Sequence, residues 1–135
     1  MTIKSQYIKP KFKKEYNPKV GLLALTTDLT IEKDFNSIFN KLPIDVFVNR
    51  IHNENPLTKQ NLLKMRDQIE GITEKILPGE KINTVAYGCT SGTIAIGEDR
   101  VKEKIQLAKP DCYVTTPITS AIKAFKLMNI KKIAV

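Results

Sequence analysis

The run Val20-Gly21-Leu22-Leu23-Ala24-Leu25 is apolar from end to end, and that uninterrupted character constrains the fold more than any other feature. A strand with one wet face alternates apolar and polar side chains. A strand buried on both faces has no reason to alternate, and such strands belong to parallel sheets covered by helices on each side. The next residues fit that requirement. Thr26-Thr27-Asp28 form a polar turn, and Ile31, Phe35, Ile38 and Phe39 then fall on one helical stripe.

The alternation continues along the chain. Residues 45–49 read as a second strand. Pro56 and Thr58 open a longer helix, with Leu62, Leu63, Ile69, Ile72 and Ile76 at helical spacing until Pro78-Gly79 stops it. Residues 82–87 read as a third strand, followed by the loop 88–92. Helices are expected over 98–107 and 119–128, a fourth strand over 112–115, and a fifth over 132–135. Strands alternating with helices imply βαβ units, hence an α/β protein with a parallel sheet and right-handed crossovers. Ligands of such sheets bind beyond the carboxyl ends of the strands. Thr26, Thr27, Asp28, Asn49, Arg50, Cys89, Thr90, Ser91, Thr115 and Thr116 are expected there.

Charge and cysteine content narrow the function classes. The net charge is +8, but residues 1–20 carry +5, residues 123–132 carry +4, and residues 21–122 carry −1. Basic ends without a basic groove argue against nucleic acid as the partner. Residues 1–18 read as a polar, lysine-rich arm. No apolar run reaches the roughly 20 residues needed to span a bilayer, and the first residues hold no apolar signal segment. Two cysteines in such a chain predict reduced thiols in the cytoplasm.

Cys89 follows Gly88 at the end of the third strand, within Gly88-Cys89-Thr90-Ser91-Gly92. The two glycines are expected to let the backbone turn. If a helix begins near Ser91, its unpaired amides face the thiol, favour the thiolate and can hold a substrate carboxylate. The residues alone leave a second reading equally open, in which Cys89 is a small buried hydrophobe. Competing templates fit poorly. A phosphatase loop needs arginine six residues after the cysteine, where this chain has Ala95. The nucleophile elbow needs serine in the middle of the motif, and neither GxGxxG nor GxxxxGK[ST] is present. His52, the only histidine, reads as a solvated loop residue, and Cys112 as core. Soft ligands are too few for a metal site. Arg50 reads either as a carboxylate clamp or as a salt bridge; Asp28 reads first as a helix cap.

Tyr87-Gly88-Cys89-Thr90-Ser91-Gly92-Thr93 resembles the cysteine loop of the maleate isomerase and arylmalonate decarboxylase group of the aspartate/glutamate racemase superfamily. Within that group the likeness is closest to the ectoine-utilisation proteins, through Gly21-Leu22-Leu23, Thr27-Asp28, Ile31-Glu32, Arg50-Ile51, Ile96-Gly97-Glu98, Thr116-Pro117 and residues 130–135. It spans residues 19–135. The resemblance implies two pseudo-symmetric flavodoxin-like lobes facing a cleft, no cofactor, and one cysteine from each lobe. Cys89 falls on the first-lobe cysteine, Thr26, Thr27 and Asp28 on a carboxylate-binding loop, and Thr90 and Ser91 on the anion cradle. Residues 19–116 are then the first lobe and 117–135 the start of a truncated second. The group favours asparagine where Asp28 stands, so the acidic residue points to an amino-acid-like substrate. The implied activity is racemisation or isomerisation of a small carboxylate by the full-length parent. A non-catalytic carboxylate-binding or remnant protein is the alternative. Exposed apolar surface predicts self-association, with a homodimer as one form of it.

Overall fold

The computed structural model describes residues 16–134. Four strands, β1 (Lys19–Leu25), β2 (Asp45–Ile51), β3 (Thr84–Tyr87) and β4 (Tyr113–Thr115), form one sheet in the order β2-β1-β3-β4. Every pairing is parallel. Six helices connect or follow them: α1 (Ile31–Phe39), α2 (Lys59–Lys64), α3 (Arg66–Glu74), α4 (Thr90–Ile96), α5 (Glu98–Ala108) and α6 (Pro117–Leu127). None is long and apolar enough to cross a membrane among the described residues. The α/β fold with a parallel sheet is as expected.

The apolar run works as its composition demands. Leu22, Leu23 and Ala24 are each fully buried. Leu23 turns with Val85, Tyr87 and Ile51 into the larger core, where Met65, Ile69, Ile76, Ile82, Val101 and Ile105 also meet. Leu22 and Ala24 turn the other way, onto a smaller core with Ala86, Ile31, Phe35 and Val46. This is the period of two that a strand imposes. Each fully buried leucine or isoleucine contributes on the order of 1.5–3 kcal/mol, so the larger side supplies most of the apolar stabilisation. α3 and α5 pack together there. α1 buries no residue completely. Ile31 and Phe35 of its expected stripe reach the core, and Phe35 meets Phe39 edge-on at 5.4 Å. Ile38 stays 64% exposed.

Several boundaries differ from the sequence expectation. The long second helix divides at Met65, whose amide bonds back to the Leu62 carbonyl at 3.2 Å, a tighter turn than the α-helix allows. Met65 is itself buried, with its backbone still in the helical region at φ −63° and ψ −28°. A separate helix, α4, precedes α5, and Gly97 divides the two at φ 95°, a conformation that favours glycine. β2 runs two residues beyond Asn49, because Ile51 continues the buried alternation. Residues 131–134 pair with no strand; a strand needs a neighbour's carbonyls and amides. Val135 and most of the basic arm, residues 1–15, lie outside the described residues.

Candidate functional site

The strand order decides where a ligand should sit. From β1 the chain crosses to β2 on one side, and from β3 to β4 on the other. The loops after β1 and β3 therefore diverge above neighbouring strands, leaving a crevice at the topological switch point. The β1 loop brings Thr26, Thr27 and Asp28 to its rim. The β3 loop brings Cys89, Thr90 and Ser91. β1 and β3 stay paired up to this point, since the Gly88 amide donates to the Leu23 carbonyl at 2.9 Å.

Cys89 is the N-cap of α4, in extended conformation at φ −136° and ψ 109°. Its Sγ accepts the Gly92 amide at 3.2 Å and lies 3.7 Å from Ser91 Oγ. The Cys89 carbonyl accepts both the Thr93 amide at 3.0 Å and the Thr93 hydroxyl at 2.6 Å, which fixes the loop. Cys89 is only 4% exposed, whereas Thr90 and Ser91 are open. The thiol thus stands at the strand tip, under a rim of hydroxyls and largely covered. Beside it, Lys59, Leu62, Ser91, Ile94 and Ala95 line a shallow groove of about 460 Å³.

The two loop glycines serve close approach, not the turning freedom expected of them, for neither has a positive φ. A Cβ on Gly88 would sit 2.6 Å from Ile31 Cδ1 and 3.1 Å from the Leu23 carbonyl oxygen. A Cβ on Gly92 would sit 2.6 Å from the Tyr87 hydroxyl oxygen and 2.9 Å from Cys89 Sγ. Tyr87 is a site residue that no sequence signal singles out. It is 1% exposed, and its hydroxyl has no hydrogen-bond partner among the described residues. Burial, and then the charge that Cys89 can carry beside it, push the phenol well above the ordinary tyrosine range.

The β1 loop is organised differently. The Thr26 and Thr27 hydroxyls both donate to Asn53 Oδ1, at 3.2 and 3.1 Å. Asn53 is buried and lies just past β2. A strand taken to end at Asn49 hides it; the buried Ile51 two residues before is the available signal. Asp28 Oδ1 accepts the Thr30 and Ile31 amides at 2.8 and 2.9 Å. Those backbone bonds, Ile31 first, hold its carboxyl below the usual range, with Arg50 nearby adding to the effect. The cap therefore accounts for the carboxylate, which does not by itself select an ammonium-bearing substrate. Arg50 donates to the Leu25 and Asp28 carbonyls at 2.8 and 2.9 Å and pairs with Glu32. Its guanidinium braces the loop from below.

Asn49 does not reach the strand tips: it lies within β2 and donates to the Ile72 carbonyl at 3.0 Å. Thr116 caps α6, accepting the Thr119 amide at 3.1 Å, and Thr115 bonds Ser120. Cys112 is buried in the larger core, to which the Cys89 side chain also belongs. Burial raises its thiol above the ordinary cysteine range. His52 is exposed.

No protein-family model and no curated relative matches the sequence. Solved structures do match. The maleate isomerase Iso from Pseudomonas putida S16 is 14% identical, with a TM-score of 0.67 over 83% of this chain and 50% of that one. The maleate cis-trans isomerase of Nocardia farcinica, bound to TRIS, is 15% identical at the same TM-score over 83% of this chain and 49% of that one. A cysteine-to-alanine variant of the Pseudomonas enzyme, with maleate, matches at 14% identity and 0.67, over 83% of this chain and 49% of its own. The chain thus spans about half the length of these structures. At such identity the likeness establishes architecture: this chain has the parallel α/β fold found in one half of a maleate isomerase.

Proposed function

We propose that the chain is the first, cysteine-bearing lobe of a cofactor-independent isomerase or racemase of small carboxylates, with Cys89 as the reacting thiol. The observation that carries this reading is the place of the sulfur. It lies at the β1/β3 switch point, as the cap of α4, accepting an amide hydrogen. A buried cysteine recruited only for packing needs none of these. Around it, Thr90 and Ser91 offer hydroxyls and first-turn amides to a carboxylate, with Thr26 and Thr27 on the loop after the neighbouring strand β1. Residues 117–135 then lead toward a second lobe that closes the cleft.

In isomerisation the thiolate adds to one alkene carbon, and the π electron pair moves onto the neighbouring carbon and its carboxylate. The carbon–carbon bond, now single, rotates. Expulsion of the thiolate then restores the double bond in the other geometry. In racemisation the thiolate takes the α-proton, and a second acid, supplied from the opposite lobe, returns a proton to the other face. Either path develops negative charge on the substrate carboxylate, which the loop's donors stabilise.

The test uses the full-length gene product that contains this sequence, incubated in deuterium oxide with maleate and, separately, with chiral amino acids. Fumarate formation supports the isomerase, and deuterium at Cα supports the racemase; both should vanish in Cys89→Ser. The coverage of Cys89 favours a second reading, a non-catalytic carboxylate-binding protein. Saturable binding of maleate with no turnover, equal in the wild type and Cys89→Ser, would select it.

A further inference from the structure

The Tyr87 hydroxyl is a buried polar atom without a hydrogen-bond partner among the described residues, aimed into the cysteine loop. Native interiors rarely leave such a group, and those that do generally have a reason for it. Phenylalanine would fill the same volume and leave nothing unsatisfied. The surroundings show what the hydroxyl faces. Gly92 has no side chain, and the position its Cβ would take lies 2.6 Å from the Tyr87 oxygen and 2.9 Å from Cys89 Sγ. Glycine at this place keeps the space between oxygen and sulfur clear.

We propose that Tyr87 is a positioning residue for Cys89, its phenolic O–H donating to Sγ when the sulfur is charged, so that the thiolate has a second donor beside the Gly92 amide. This deepens the reading of Cys89 as the reacting thiol and rests on it. The proton stays on the tyrosine oxygen throughout. Burial holds the phenol protonated, so it remains a donor across the neutral range. The oxygen and the sulfur border the same small space at Gly92, so a small shift of the loop, together with rotation of the phenolic proton about one bond, brings them into contact. A neutral thiol makes weak use of such a donor; a thiolate makes strong use of it.

The experiment reads thiolate directly, without a reagent that must reach the buried sulfur. Absorbance at 240 nm is titrated from pH 5 to 9.5 for the wild-type chain and for Tyr87→Phe. Each is measured against its own Cys89→Ser counterpart, so that Cys112 and the other tyrosines cancel. Tyr87→Phe should move the Cys89 curve to higher pH, lowering the thiolate present at pH 7 by about tenfold, the order expected for one hydrogen bond to a charged acceptor. The thermal midpoint should hold or rise, because an unsatisfied buried group has gone. Superimposable curves overturn the proposal. If they superimpose with thiolate already present at neutral pH, only the role of Tyr87 falls and the reading of Cys89 stands. If they superimpose with no thiolate below about pH 8.5, the ordinary value for a free cysteine, both fall. Should Tyr87→Phe fail to fold, 3,5-difluorotyrosine placed at position 87 gives a stronger donor of similar size. It should move the curve to lower pH, and an unmoved curve overturns the proposal as well.

Discussion

The loops after β1 and β3 flank the same crevice, yet they treat their polar groups in opposite ways. In the β1 loop and the end of β2 against it, nearly every strong group is engaged within the protein: Asp28 on the amides of Thr30 and Ile31, Arg50 on Glu32 and on the Leu25 and Asp28 carbonyls, and Asn53 on Thr26 and Thr27. In the β3 loop the Tyr87 hydroxyl is unsatisfied, and the hydroxyls of Thr90 and Ser91 are exposed. A group already holding partners stabilises the fold; an exposed hydroxyl such as that of Thr90 or Ser91 can meet a ligand, and the buried Tyr87 hydroxyl can meet only its neighbours in the loop. On the proposed reading, the β1 loop mainly shapes the crevice and the β3 loop carries the reacting group.

Substitutions can break that contrast, and the largest effect should come from the sulfur. Cys89→Ser should reduce turnover of the full-length protein by at least about a thousandfold, as loss of a nucleophile does. Its thermal midpoint should change little, because serine keeps the cap acceptor. Retained turnover would move the chemistry elsewhere. Gly92→Ala comes next. Its methyl group has no room between Tyr87 and Cys89, so overpacking should destabilise the fold by about 1–3 kcal/mol, read by urea denaturation. A neutral result would mean that this loop is looser than the distances imply.

Arg50→Ala sharpens the comparison from the other side. A brace predicts a loss of about 1 kcal/mol in stability, with KM nearly unchanged. A substrate clamp predicts the reverse: an intact fold and a KM raised about tenfold or more. Asp28→Ala should have the smallest effect, about 0.5 kcal/mol, the low end for a capping side chain, because Asp28 stands two residues before the N-cap Thr30. The sign of its pH dependence follows from the depressed carboxyl. The cap is fully effective above the unfolded-state value of about 4, and is lost as the pH falls through the lower folded-state value. Wild type and Asp28→Ala should therefore converge in stability in strong acid.

Much of this is legible from residues. An unbroken apolar run in β1 requires helices on both faces, and alternating periodicities require parallel pairing; the fold then follows from general rules of handedness. The tip of β3 is legible too, because Gly88 and Cys89 interrupt an apolar strand abruptly. What cannot be read depends on contacts between distant segments. Asn49 resembles the end of β2, and only the register of Leu25 against Ile51 shows the strand continuing. The division at Met65 has no proline or glycine to announce it, since only a shortened backbone hydrogen bond to Leu62 marks it. Tyr87 reads as one more strand residue, for nothing local reveals that its hydroxyl lacks a partner. Arg50 and Asp28 each carry two readings, and the choice rests on carbonyls and amides that sequence does not place.

Competitive alkylation offers the most direct test of Cys89 as the working thiol. The native protein is treated with limiting iodoacetamide at pH 7, and peptides containing Cys89 and Cys112 are quantified by mass spectrometry. Both thiols are buried, so burial does not separate them, and Cys89 should be modified at least about tenfold faster than Cys112 because of its thiolate character. Millimolar maleate or a similar small carboxylate should protect it. Equal rates, or Cys112 reacting first, would contradict the assignment of chemistry to the β3 loop.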